Sequence, residues 1–203
     1  GMTELTELYL TVGDVKDLSP LANLTELKTL NLRGNFAADN LDFVREMTEL
    51  RELRVSPYSN GTIRVDDLSA LTNLTELQTL DLQLDGLKSL HGLENLTELR
   101  ELNLNGSEAS LTDVDPLTNL TKLQTLRLPN QNYDNSNRVD LSGLAGLTQL
   151  QELVIYSPVA SLEPLRELTG LKTLRYSASY DYDDPGVSLA PLSGLTKLQE
   201  LDL

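Results

Sequence analysis

Leucines recur in fixed columns along the whole of this chain. Leu5, Leu27, Leu50, Leu77, Leu99, Leu123, Leu150, Leu171 and Leu198 share one position of a repeating segment, and Leu8 through Leu201 share the next. The segment has nine copies, beginning at Met2, Leu24, Met47, Leu74, Leu96, Leu120, Leu147, Leu168 and Leu195, and reads LTELKTLNL, LTELQTLDL or LTKLQTLRL. Successive starts lie 22, 23, 27, 22, 24, 27, 21 and 27 residues apart. A unit this short cannot bury its own apolar face, so it folds only by stacking on its neighbours. Each copy ends in L-x-L, as at Leu30 and Leu32 or Leu102 and Leu104, the period of two that marks a short strand with one buried face. Stacked copies then make a parallel sheet, and nine strands spaced by ~4.8 Å would span about 40 Å.

Further apolar columns lie three and six residues before each later start, as at Leu18 and Leu21, Leu68 and Leu71, or Val114 and Leu117. Proline recurs beside them, at Pro20, Pro116, Pro164 and Pro191, where its fixed φ suits the first turn of a helix and its missing N–H costs little. The expected fold is therefore an α/β, right-handed, curved solenoid. Its concave side is a parallel β-sheet of about nine short strands, and its convex side consists of short 3-10 or α turns. We expect a single domain over residues 1–203, with Gly1 before Met2 as an expression remnant. The first strand begins within ten residues of the start, the chain stops inside a strand, and no distinct cap is visible. End repeats normally need polar caps, so we expect a fragment of a longer chain, with end-to-end association through bare edges as the other reading.

Composition narrows the function. Of 203 residues 48 are Leu, while Phe supplies two and Trp none, so the core must be stacked aliphatic side chains. A formal charge of −15 excludes broad nucleic-acid backbone binding and anionic membrane surfaces, which need a basic footprint; its plainest role is solubility. Cysteine is absent, which removes disulfides, a thiolate nucleophile and Cys-based zinc sites. No stretch approaches the ~20 apolar residues of a membrane span, and GMTELTELYL lacks the regions of a signal peptide. If Met2 is the native start, the cytoplasm is the expected compartment.

The segment LSPLANLTELKTLNLRGN (residues 18–35) resembles the 22-residue repeat of bacterial internalins and of the related phosphatase-regulatory leucine-rich-repeat proteins. The resemblance extends over nearly all 203 residues. It implies a leucine-rich-repeat solenoid that grips a protein partner with its concave face, at a bacterial cell surface. The chain departs from that pattern in one column. The family places Asn three residues past the last strand Leu, where it ties adjacent turns together; here the series reads Gly13, Asn35, Tyr58, Asp85, Ser107, Gln131, Pro158 and Ser179. Either other polar groups satisfy those backbone atoms or the turns are irregular.

Residues alternating with the strand leucines face away from the core. The row between the two leucines reads Tyr9, Asn31, Arg54, Asp81, Asn103, Arg127, Val154, Arg175 and Asp202. Packing alone would tolerate uniform small polar residues there, so this mixture marks a binding surface, and Arg and Tyr are frequent interface anchors. The preceding row alternates Glu7, Thr29, Glu52, Thr79, Glu101, Thr125, Glu152, Thr173, Glu200; Thr keeps like charges off adjacent strands, a structural reading. The three 27-residue copies carry insertions on one edge, SPYSNGTIRV, PNQNYDNSNRV and SASYDYDDPGV, in the vocabulary of adaptable binding loops. The candidate partner-binding residues are Arg54, Asn103, Arg127, Tyr156 and Arg175 on the face, with Tyr58, Tyr133, Tyr180 and Tyr182 in the loops. Eight of the 16 basic residues sit on or beside this face, which favours a partner with acidic patches. A protein is the expected partner. A carbohydrate recognised by the Tyr, Asn and Asp loops, or a self-assembling spacer, is the alternative.

Catalysis is not expected. Asp181, Asp183, Asp184, Asn132 and Asp134 offer calcium-type oxygen ligands, but no complete calcium loop is present and an acidic turn explains them better. His91 is the single histidine, without partners for a metal site, and reads as a solvated turn residue. There is no nucleophile elbow, P-loop or GxGxxG, so no cofactor, metal or catalytic residue is assigned. The N-L-T sequons at Asn23, Asn73, Asn95 and Asn119 are written by the repeat itself.

Overall fold

The structure, a computed structural model, describes residues 2–58, 61–106, 109–130, 138–177 and 186–203. Each copy of the repeat contributes one strand to a parallel sheet: β1 (Glu7–Val15), β2 (Thr29–Ala38), β3 (Glu52–Pro57), β5 (Thr79–Gln83), β6 (Glu101–Asn105), β7 (Thr125–Arg127), β8 (Glu152–Ile155), β9 (Thr173–Tyr176) and β10 (Glu200–Asp202). Each follows its predecessor in space. A short strand β4 (Thr62–Ile63) pairs with the far end of β2, Ala37 opposite Thr62 and Ala38 opposite Ile63. Register is in phase along the leucine columns: Leu30, Leu53, Leu80, Leu102, Leu126, Leu153, Leu174 and Leu201 lie in one line. This is the leucine-rich-repeat solenoid expected from the columns.

Both leucine columns drive the stacking. From Leu27 to Leu174 the column residues are buried to completion, and one apolar cluster runs through the stack. On the opposite side the chain makes single 3-10 turns, Ser19–Asn23, Asp42–Val44, Ser69–Leu71, Asp115–Leu117, Ser142–Leu144, Glu163–Leu165 and Ala190–Gly194, with Pro20, Pro116, Pro164 and Pro191 in their first positions. A turn is held open-ended unless something takes its first N–H groups. Seven residues before each later start, a small polar side chain does this, accepting the backbone N–H two residues on: Asp17, Asn40, Asp67, Ser89, Asp113, Asp140, Ser161 and Ser188. The column is as regular as the leucines, yet uses three residue types, because the bond needs only a short-chain acceptor.

Where the family's Asn is missing, adjacent turns are tied by main chain instead. The Tyr58 N–H donates to Gly34 O at 2.7 Å, Asp85 N–H to Ile63 O at 2.8 Å, Arg64 N–H to Ala38 O at 3.0 Å and Ala160 N–H to Val139 O at 3.0 Å. Thr62 Oγ1 adds a bond to Asp85 Oδ2 at 2.8 Å. Other polar groups therefore tie the turns at Tyr58, Asp85 and Pro158, whereas at Gly13 the ladder is irregular, its register shifting between Val12 and Val15; Ser107, Gln131 and Ser179 lie outside the described residues.

Candidate functional site

The face of the sheet turned away from the core carries two rows with a residue from every one of the nine stacked strands, and a shorter third row that includes Thr11, Arg33, Ser56 and Gln83. In the first, Glu7, Thr29, Glu52, Thr79, Glu101, Thr125, Glu152, Thr173 and Glu200 stand side by side in register, so no two glutamates are direct neighbours. The second row brings Asn31, Arg54, Asp81, Asn103, Arg127, Val154 and Arg175 together on seven adjacent strands. All five face residues singled out from the sequence lie here or, for Tyr156, just past the end of β8.

The arginines of this face are held by its carboxylates. Arg54 donates through Nε to Glu52 Oε1 at 2.8 Å, through one terminal nitrogen to Asp81 Oδ2 at 3.1 Å, and through the other to Glu101 Oε2 at 3.4 Å, reaching across β5 to β6. Burial works against its charge, but the bond to Glu52 and the fields of Glu101, Glu52 and Asp81 outweigh that and raise its pKa. Arg127 and Arg175 each reach one strand onward, to Glu152 Oε1 at 2.7 Å and Glu200 Oε1 at 2.6 Å. The Arg175 pKa is raised first by its bond to Glu200 and then by that charge, with Tyr156 and Glu152 adding to the same direction. The alternating Glu row thus does more than keep like charges apart. Arginines on Thr strands β7 and β9 pair with the Glu strand that follows.

This geometry changes the charge reading. The three rows hold four arginines and seven carboxylates, so the arginines do not form a bare cationic surface for an acidic partner. With Lys28, Arg51, Arg100 and Lys172 at the rim, the face holds eight of the 16 basic residues and seven of the 31 acidic ones. It is close to neutral, and the acidic excess lies elsewhere on the molecule.

Two row residues are sunk between their neighbours. Val154 is 3% and Asn103 7% exposed, and Asn103 Oδ1 is a buried acceptor with no hydrogen-bond partner. The sequence carries no sign of that orphan, because the strand alternation places Asn103 on the open face. Tyr9, Tyr58 and Tyr156 are well exposed. Tyr133, Tyr180 and Tyr182, with the calcium-type ligands Asn132, Asp134, Asp181, Asp183 and Asp184, lie outside the described residues. Among the described residues no group of three or more His, Cys, Asp or Glu is placed to hold a metal, and no helix is long and apolar enough to cross a membrane. The exposed His91 meets Glu94 Oε1 through Nδ1 at 2.8 Å, in a convex turn remote from the sheet.

No protein-family model and no curated protein sequence matches the chain. Among solved structures, the chain is similar to an internalin (inlF) from Listeria monocytogenes at 29% identity, with a TM-score of 0.79 over 100% of this chain and 55% of that one. It therefore spans about half that internalin's length. It also superposes on an internalin C2 (inlC2) from Listeria monocytogenes, at 22% identity and a TM-score of 0.73, covering 99% of this chain and 82% of that one. A plant peptide hormone receptor in complex with RGF2 shares the fold at 19% identity and a TM-score of 0.70, over 98% of this chain and 35% of the receptor.

Proposed function

We propose that this leucine-rich-repeat protein, which resembles the internalins, is a non-catalytic recognition module that binds a protein partner on the open face of its sheet. One observation carries the reading: three neighbouring strands bring Arg127, Tyr156 and Arg175 together, each side chain about half exposed, around the buried Val154. Aromatic and guanidinium groups over an apolar floor are the usual makings of an interface anchor. Arg54 and Asn103 extend the surface toward β3 and β6. Tyr58, half exposed beside β3, would border it along the loop edge. Superposition on a hormone receptor solved with RGF2 supports recognition as the use of this fold. The near-neutral face supports contact without the repulsion that the rest of an acidic molecule imposes. Display at a bacterial cell surface is part of the proposal, on the likeness to internalins.

Affinity capture from a host-cell extract, with mass spectrometry, tests it. The parent is run beside a variant with Arg127→Ala, Tyr156→Ala and Arg175→Ala whose melting temperature matches the parent's. A protein retained by the parent and lost by the variant is the expected result. Equal retention by both would move the contact off this part of the face, and a response confined to a glycan array would replace the protein partner by a carbohydrate.

A further inference from the structure

We propose that the open face over β5 and β6 takes a lysine ammonium of the partner, hydrogen-bonded to Asn103 Oδ1 and ion-paired with Asp81 and Glu101. This rests on the recognition reading and names the partner group that enters one part of that face.

The electrostatics there are lopsided. Glu52, Asp81 and Glu101 share a single guanidinium, that of Arg54, which leaves two negative charges uncompensated within three adjacent strands. Arg127, on the next strand over, is committed to Glu152 on its far side. Arg51 and Arg100 directly precede Glu52 and Glu101 at the rim of the same strands and offset part of this charge, but they stand three residues, about 10 Å, before Arg54 and Asn103. At the β6 edge of this deficit, between Asp81 and Arg127, sits the orphaned acceptor. Asp81 is directly opposite Asn103 across the β5–β6 ladder, and Glu101 lies two residues earlier on the same face of β6. A buried acceptor left unpaired is costly, and in this field the donor that satisfies it best is a cation.

The shape of the acceptor set chooses lysine over arginine. Asp81 stands beside Asn103 on the neighbouring strand and Glu101 two residues back along β6, so the three acceptors are anchored at separate backbone positions around one point rather than paired on one side chain. An ammonium carries three donors splayed around one nitrogen, whereas a guanidinium needs coplanar acceptors. The incoming ammonium takes over Glu101 from Arg54, whose 3.4 Å contact there is the longest of its three. Arg54 keeps Glu52 and Asp81, and no buried charge is stranded.

The test uses the ¹⁵N-labelled full chain and three acetylated, amidated Gly-X-Gly peptides with X as lysine, norleucine or Nε-acetyl-lysine, followed by NMR. The lysine peptide should move the Asn103 side-chain amide pair saturably at millimolar concentration, and the other two should not. Asn103→Asp, which adds a charge at the acceptor, should tighten binding by about threefold or more. Asn103→Leu, of similar volume, should abolish it; if that variant does not fold, Asp81→Asn serves, with a weakened lysine response expected. Equal shifts with norleucine, no response to lysine, or loss of binding in Asn103→Asp would each overturn the assignment. So would calcium chloride moving the same resonances while the lysine peptide does not. The two proposals fail separately: a captured protein lost by the Arg127, Tyr156, Arg175 variant but held undiminished by Asn103→Leu would leave recognition standing and remove the lysine.

Discussion

A carboxylate that accepts a main-chain N–H in the folded state gives the fold a dependence on pH. Asp17, Asp67 and Asp140 each cap a convex turn, and each has its pKa lowered, Asp67 and Asp140 first by the Ser69 or Ser142 backbone N–H and Asp17 first by the Ser19 side chain, with burial opposing. Because the folded value lies below the unfolded one, their contribution is present above the ordinary aspartate range and is lost as pH falls through it. Asn40 already fills the same post without a charge. Replacing Asp17, Asp67 and Asp140 together by Asn should therefore leave the urea midpoint near the parent's at pH 7 and flatten its fall toward pH 3. Parallel acid limbs for both proteins would show that these caps carry no proton linkage. Ser161→Ala, which deletes an uncharged cap of the same column, should cost about 0.5–1.5 kcal/mol at any pH. This column was visible in the sequence at the leucines' own spacing. It is harder to recognise than the leucines because hydrogen-bond acceptance is shared by Asp, Asn and Ser, whereas filling a core site selects Leu again and again.

At the level of strands and turns, agreement and surprise divide along the same line. Strand positions and register followed from the columns, since a one-residue slip would turn every leucine outward. The charge network did not. Arg54 reaches Glu101 across an intervening strand, and chain separation gives no hint of that distance. Nor does the sequence distinguish one glycine from another. A Cβ on Gly106 would stand 1.5 Å from the Leu84 carbonyl oxygen, at a φ of +147°. Here the chain leaving β6 passes against the layer before it. Gly146 has nothing within 4 Å. Gly106→Ala should thus lose more than about 1 kcal/mol, while Gly146→Ala should be neutral or stabilise by about 0.5 kcal/mol through the unfolded chain. Urea midpoints decide it, and a Gly106→Ala protein as stable as its parent would contradict the close approach.

Taken whole, the molecule is a line of layers, each paired only with the one before and the one after. Stability in such a stack is the sum of layer terms and neighbour interfaces, so a layer with one neighbour is weaker than a layer with two. Burial follows that rule. The strand leucines of the middle copies are closed to solvent, those of β1 are half-buried, and Leu201 in β10 is 48% exposed. Halving the cover of a leucine pair forfeits on the order of 1.5–3 kcal/mol. The acidic excess outside the sheet face adds repulsion along the length of the stack but does not single out a layer. Native-state hydrogen exchange should accordingly show a profile with its maximum over β5 to β7, with the amides of Leu102 and Leu126 opening at least about 2 kcal/mol less readily than those of Leu8 and Leu201. A flat profile would mean that the stack opens as one unit and that coupling between layers exceeds what any single layer contributes. The graded profile has a functional corollary: the face residues Asn103 and Arg127 stand on the strands that open last, so a partner docking there meets a surface already in place.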